Sequence, residues 1–282
     1  MGAPGNHQGG RHAGPAQAPR PPRPSSGLRR DRQLRRSDRR RPRAAPHCPR
    51  AATGGRDARS GADEVVGVFL SSRLSGTYGS AQTAVRSAGI SGAHLADSRS
   101  ASLGVGLLAL RGAELAEASW RGAEIVRELE RVRGQSGMLL TVDRYDVLLR
   151  SGRVSRGKAW LAGMLDVRPI LTLDAEGRVI PADRVRGRDP VMLRVLALLE
   201  QRLTPRPTVV RFGVVHTQAA AAAERLRAAR QAAYRPRHCS VTLATGVLGA
   251  HVGEGAWAIF YQVEDGTPAR LDPAAAGTEE SN

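Results

Sequence analysis

Residues 65–78 read VVGVFLSSRLSGTY, and this stretch decides the fold. Its apolar, β-branched start predicts a buried strand, and residues 79–88 have the composition of a helix that Gly89 would end. A hydroxyl-rich turn between a strand and a helix can bind an anion, because free N–H groups and the helix dipole point towards it. Ser75 and Thr77 are equally plausible as N-caps of the helix, so the turn alone leaves both interpretations open.

The motif SSRLSGTY resembles the signature of the DegV family, bacterial proteins that bind one long-chain fatty acid. Five further stretches are similar to later landmarks of that family and occur in the same order. They are ADSRSASLG at 96–104, LRSGRVS at 149–155, VRPIL at 167–171 with DAEG at 174–177, RVRGR at 184–188 and GAHVGEGA at 249–256. Each landmark alone is a weak signal, but six in order across residues 61–262 identify the chain as a member of the family.

The spacing of apolar residues predicts an α/β protein in which strands and helices alternate. We expect a parallel-sheet β/α first domain, incomplete at its N-terminus, followed by a second α/β domain with antiparallel strands. The expected boundaries are 61–142 for the partial first domain, 143–265 for the second and 266–282 for a flexible tail. The expected strands are 93–97, 138–142, 167–173, 178–185, 208–215, 240–244 and 256–262, and the expected helices are 103–118, 123–133, 155–165, 190–202 and 219–232.

The resemblance implies a set of lipid-binding residues at the carboxylate end of a buried tunnel. Ser75 would donate its hydroxyl, and Gly76 and Thr77 would help through their backbone N–H groups. His251 would be a second polar residue near the head group, and Gly253 would let the backbone come close to the ligand. On spacing alone, glycine at 253 could equally just shape a turn. The family's Thr-Ser-x-Pro turn, whose threonine also contacts the head group, has no counterpart in the chain.

The family resemblance also implies a function without catalysis by this chain. The protein is similar to the fatty-acid-binding subunit of bacterial fatty acid kinase. That subunit presents the carboxylate of its fatty acid to a separate kinase for phosphorylation, a step of phospholipid metabolism. That kinase would bring ATP and magnesium, so no cofactor or metal is expected here beyond the fatty acid. Arg186 and Arg188 match a basic turn that could dock the kinase, or could be a solvated turn. The alternative is an enzyme that holds a small phosphorylated metabolite at the Ser75 turn.

The first sixty residues have a different composition from the rest of the chain. They contain fifteen arginines, three aspartates and no lysine, so they supply +12 of the formal net charge of +17. With almost no large aliphatic residue, this segment is expected to be disordered. It could be an arginine-rich arm that binds nucleic acid or a transit peptide. We favour a third interpretation, a shifted frame or misassigned start, because arginine, proline, glycine and alanine are typical of GC-rich DNA translated out of frame.

Several single residues have a structural interpretation that we prefer to a functional one. Cys48 and Cys239 fit neither a metal site nor a disulfide framework, which favours a reducing cytoplasm, with Cys239 as a small core residue. His216 follows a strand and is expected to be structural. Trp160 and Trp257 are expected in the core, where either could border a lipid tunnel. No apolar run has the length of a membrane span, so we expect a soluble protein.

Overall fold

The computed structural model describes residues 64–154 and 167–267. The arginine-rich segment, the helix expected at 155–165 and most of the expected tail lie outside these ranges. Within them, no helix is long and apolar enough to cross a membrane. The same ranges contain no group of three His, Cys, Asp or Glu residues that could hold a metal ion.

A two-stranded parallel sheet forms the first part of the structure, as the alternation of strands and helices predicts. Its elements are β1 (Val65–Phe69), α1 (Thr77–Ser87), β2 (Ala93–Asp97), α2 (Ser102–Glu117) and α3 (Gly122–Arg133). Helices α2 and α3 bury one apolar stripe each against this sheet, with Leu115, Ile125 and Leu129 at the centre. The predicted bounds of these elements are confirmed to within two residues.

A six-stranded mixed sheet forms the second part. Its strands are β3 (Ser136–Thr141), β4 (Val167–Leu173), β5 (Val179–Arg186), β6 (Val210–His216), β7 (His238–Leu243) and β8 (Trp257–Val263). The strand order is β5-β4-β3-β8-β6-β7, and all neighbours are antiparallel except β6 and β7. The helices of this part are α4 (Tyr145–Arg150), α5 (Pro190–Arg202), α6 (Ala220–Tyr234) and α7 (Gly246–Val252).

Strand β3 does not lie in the parallel sheet, where the alternation of elements had suggested it. It pairs antiparallel with β8 on one side and β4 on the other, in the middle of the larger sheet. Leu139 points to one face and Met138 and Leu140 to the other, and all three are buried. A strand buried on both faces has the same continuous apolar sequence in either kind of sheet, so its composition could not show which sheet it joins. The division of the chain into domains at residue 142 stays a prediction.

The two faces of the larger sheet are covered differently. Helices α5 and α6 pack on one face, where Leu139, Phe212 and Ile259 are almost fully buried. Helices α2, α4 and α7 cover the opposite face, where Met138, Leu140, Val215, Ala258 and Phe260 form a second cluster. Side chains alternate between these faces along each strand, as the pleat requires.

Helix α7 lies in a glycine-rich stretch for which the sequence predicted no helix. Its N-cap is Thr245, whose Oγ1 accepts a hydrogen bond from Leu248 N at 3.4 Å. The helix ends at Gly253, which has a positive φ of 77°. His251 therefore lies in the last helical turn and not in an open loop. Short helix α4 also had no signal in the periodicity.

A buried ion cluster fixes α2 on the larger sheet. Arg211 Nε of β6 donates to Glu264 at 2.6 Å, and its Nη2 donates to Glu114 of α2 at 2.6 Å. Burial lowers the pKa of Arg211, but the hydrogen bonds and charges of Glu114 and Glu264 outweigh it, so the pKa is raised overall. The chain is held directly before the expected tail, because Asp265 accepts hydrogen bonds from the backbone N–H groups of Thr208 and Val209.

Candidate functional site

A cavity of about 510 Å³ lies on the face of the larger sheet that α4 and α7 cover. Its floor includes Met138, Leu140, Ala258 and Phe260 of the central strands. Its walls come from α7, from α4 and from the turn after β1. The wall is mainly apolar, and its size falls within the usual range for small-molecule sites. The polar side chains on the wall are Ser75, Ser102, Arg153, His216, Thr217, Thr245 and His251.

Ser75 lies on the cavity wall, half-buried, directly before helix α1. Its Oγ accepts a hydrogen bond from Thr77 N at 3.3 Å, so the hydroxyl hydrogen is free to donate elsewhere. The N-cap of α1 is Gly76, with no side-chain cap bond. Of the two interpretations that the turn left open, the one with Ser75 or Thr77 as the N-cap is therefore wrong. Gly76 and Thr77 are exposed and are not part of the cavity wall.

The turn that carries Ser75 is anchored by a buried serine that the sequence analysis did not single out. Ser71 is fully buried, and its Oγ donates to the Gly177 carbonyl at 2.8 Å and accepts from Arg73 N at 3.2 Å. Gly177 has a φ of +84°, and a Cβ there would come within 2.4 Å of Ser71 Oγ. The β4–β5 hairpin turn can therefore approach this closely only with glycine at its tip.

His251 lies on the wall of the same cavity as Ser75, although 176 positions separate them in the sequence. It is half-buried, and no hydrogen bond to its ring is present within the described residues. Gly253 is not part of the wall. Its left-handed backbone ends α7, and its carbonyl accepts from Thr217 Oγ1 at 2.6 Å. The structure thus gives Gly253 a role in the turn that follows His251.

Thr217 is a second residue that the sequence analysis missed. It lies on the cavity wall after β6, and its Oγ1 donates to Gly253 O and accepts from Ala256 N at 3.0 Å. Its backbone carbonyl accepts from Gly255 N at 2.8 Å. One threonine therefore holds both ends of the turn between α7 and β8. Nothing in the sequence distinguishes a lone threonine after a strand, because its partners lie far along the chain.

His216 and Trp257 also border the cavity. His216 Nδ1 accepts a hydrogen bond from Ala219 N at 3.3 Å, at the start of α6, so it has the structural role that was expected. Trp257 is 8% exposed and belongs to the packed core of the sheet as well as to the cavity wall. Its twofold position agrees with the expectation of a core residue beside a tunnel.

A second cavity, of about 550 Å³ and more polar, shares Trp257 with the first. Arg168, Arg188 and Arg225 line it. Asp143 accepts from Arg168 Nη1 at 3.0 Å and is also ion-paired with Arg188. Arg186 is exposed at the end of β5 and is not part of this wall. Of the two arginines proposed for a partner, Arg188 thus lines the second cavity, and Arg186 lies two positions before it in the sequence.

The family model described as uncharacterised protein of the DegV family matches residues 55–264. The chain belongs to the DegV family. A DegV domain-containing protein of Deinococcus radiodurans is 41% identical over 127 residues, which are 45% of this chain and 44% of that protein. A DegV domain-containing protein of Mycobacterium bovis is 34% identical over 218 residues, 75% of each chain. The chain thus spans less than half of the first relative and three quarters of the second.

A solved structure described as the fatty acid binding of a DegV family protein from Thermus thermophilus is similar to this DegV-family chain, with a TM-score of 0.69 and 30% identity over 74% of each chain.

Three of the six sequence motifs that resemble the family contact one another in the structure. Ser71 of the first bonds to Gly177 of the hairpin motif, and Ser72 N donates to Asp97 of the second motif at 3.2 Å. Arg99 of the second motif donates to the Ala175 carbonyl at 3.0 Å.

Proposed function

We propose that this DegV-family protein binds one long-chain fatty acid in the 510 Å³ cavity and presents its carboxylate to a separate fatty acid kinase. The observation that carries the proposal is an apolar cavity with Ser75 and His251 on its wall. The similarity to a DegV-family protein of Thermus thermophilus described as binding fatty acid supports the ligand class. An apolar wall favours an acyl chain over the alternative ligand, a small phosphorylated metabolite.

The acyl chain would supply most of the affinity. Burial contributes about 0.8 kcal/mol per methylene, so roughly fifteen methylenes contribute on the order of 12 kcal/mol before the costs of ordering. A hydrogen bond to a charged group contributes about 1.5–3 kcal/mol. The cavity would therefore provide the affinity, and the polar residues would orient the ligand and prevent an unpaired buried anion.

Ser75 and His251 are the proposed ligands of the carboxylate. The Oγ of Ser75 already accepts from Thr77 N, so its hydrogen is available to a carboxylate oxygen. The ring of His251 has no hydrogen bond within the described residues and can donate from a ring N–H. Thr217 is proposed as a positioning residue, because it fixes the turn that follows His251.

A separate kinase would carry out the chemistry. It would supply ATP and magnesium, while this chain would hold the acyl group and contribute no catalytic residue. We propose that the kinase docks on the basic side of the molecule, where Arg186 is exposed and Arg188 lines the second cavity. A cytoplasmic location belongs to the same proposal, because that is where ATP and the kinase would meet it.

The head-group assignment is tested by titrating a fatty acid and its methyl ester. Ser75→Ala should weaken acid binding by about 1–3 kcal/mol, roughly five- to a hundred-fold, because it removes one donor to a charged acceptor. The ester should lose much less, since it has no carboxylate charge. Ser80→Ala is the matched control, because Ser80 is an exposed serine of α1 outside the cavity wall. Equal losses for acid and ester would contradict the assignment.

The docking assignment needs a separate variant. Arg186→Ala should leave fatty acid affinity unchanged and should lower the rate at which a bacterial fatty acid kinase phosphorylates the bound acid by several-fold. Arg86→Ala, an exposed arginine at the end of α1, is the control and should change neither quantity. A rate unaffected by Arg186→Ala would contradict the role of this arginine in docking.

A further inference from the structure

The cavity floor changes abruptly in side-chain size along β8. Ala256, directly before β8, and Ala258 and Phe260 of β8 face the cavity, because alternate residues of an extended chain share a face. The two alanines leave space above the sheet, whereas the ring of Phe260 fills the space above its own position. At about 3.3 Å per residue, Phe260 lies roughly 13 Å along the strand from Ala256. Ala256 is the end nearer His251, because Thr217 bonds both Ala256 N and Gly253 O.

Phe260 is held in place on several sides. It is 2% exposed, and its register neighbours are Met138 on β3 and Gly213 on β6. The missing side chain of Gly213 is replaced by Leu103 of α2, since a Cβ on this glycine would lie 2.9 Å from Leu103 Cβ. A Cβ on Gly104, also on α2, would lie 2.9 Å from the Phe260 ring. Helix α2 therefore presses directly on the ring.

The cavity wall reaches α2 only at its first residue, Ser102. Met138 and Phe260 line the cavity, whereas Leu103 and Leu107 of α2, which pack in or against the same apolar cluster, are not part of its wall. Met138 is 3% exposed, and the backbone beside it is fixed because its carbonyl accepts from Thr172 Oγ1 at 2.8 Å. Met138 and Phe260 thus lie between this cavity and a separate one of about 290 Å³ that Gly104 and Leu107 of α2 line.

We propose that the Met138–Phe260 pair closes the end of the cavity remote from His251 and sets the longest acyl chain that the protein accepts. This inference rests on the proposed fatty acid function. The free end of the acyl chain would meet the Phe260 ring, so that extra methylenes would have to displace a fully packed side chain or stay in water. Acids beyond the limit would gain no further burial, and their affinity would stop rising with length.

The test compares the affinity ratio of icosanoic to hexadecanoic acid, measured by displacement of a fluorescent fatty acid from the full chain. Phe260→Ala should raise this ratio about fifteen-fold, which corresponds to two further buried methylenes at about 0.8 kcal/mol each. Phe260→Leu makes less room and should raise it about fourfold, or one methylene. Ala258→Leu fills the floor before the end, so it should lower the affinity ratio of hexadecanoic to dodecanoic acid, because only the longer acid would lose buried methylenes.

The control variant changes a phenylalanine on the other face of the sheet. Phe212→Leu removes the same atoms from an equally buried phenylalanine that does not line the cavity, so the ratio should stay constant. If Phe260→Ala fails to fold, the affinity ratios of Phe260→Leu and Ala258→Leu test the length limit. Unchanged ratios in both, or a change in Phe212→Leu of the same size, would overturn the length limit alone. A wild-type protein that binds neither acid would overturn the proposed function and this inference together.

Discussion

The two faces of the six-stranded sheet use the same strands for different purposes. On β8, Trp257 and Ile259 point to the face under α5 and α6, and Ala256 and Ala258 point to the face with the cavity. Large side chains fill the centre of the first face, where the second, more polar cavity opens only at the starts of α5 and α6, and small ones leave an apolar space on the second face. Both faces carry a buried apolar cluster, and the difference indicates that the second face also provides apolar room for a ligand.

The helices that cover the two faces of the sheet differ in length. Helices α5 and α6 have 13 and 15 residues and insert Val195, Leu199 and Leu226, none of them measurably exposed, into the packed face. On the other face, the 16-residue α2 covers one part, and α4 and α7, with six and seven residues, cover the rest only in part. Short helices present few apolar side chains, so they leave a cavity between themselves and the sheet.

The largest expected effect concerns the packed face. Phe212→Ala should lower the free energy of unfolding by about 3–5 kcal/mol, because it removes a fully buried ring from the cluster that it forms with Leu139 and Ile259. Denaturant unfolding measures this change. The affinity of the folded fraction for fatty acid should stay the same. A loss of less than 1 kcal/mol would mean that the packed face does not provide the stability assigned to it.

The smallest expected effect concerns two exposed residues on helices that cover opposite faces of the six-stranded sheet. Val247 of α7 is 74% exposed and lines the cavity, and Leu193 of α5 is 72% exposed and does not. Val247→Ser should weaken fatty acid binding a few-fold and change the free energy of unfolding by less than about 0.5 kcal/mol. Leu193→Ser should change neither the affinity nor the stability beyond that range. Equal effects on affinity would show that the two faces do not differ in the way described.

Most helices and strands could be predicted from the period of the apolar residues, as for α5, whose bounds at Pro190 and Arg202 agree with the expectation. The sheet to which β3 belongs could not, because a doubly buried strand has no alternation that marks its neighbours. Helix α7 was missed because Gly246 and Gly249 are poor helix formers, and packing of Val252 in the second core cluster overrides that propensity.

Some residues of the candidate site could be predicted from the sequence and others could not. Ser75 and His251 followed from a family resemblance, and both line one cavity. Ser71 and Thr217 were missed because their importance lies in backbone partners that are distant in sequence, Gly177 for one and Gly253 for the other. A hydroxyl residue is common in turns, so its type alone gives no sign of such a bond.

The central claim is that the face of the sheet with the apolar cavity holds a fatty acid. Native mass spectrometry of the full chain purified from bacteria tests it most directly. The account predicts one added mass per chain that matches a long-chain fatty acid, and its replacement by hexadecanoic acid added in excess. A chain that carries no fatty acid and takes up none on addition would contradict the account.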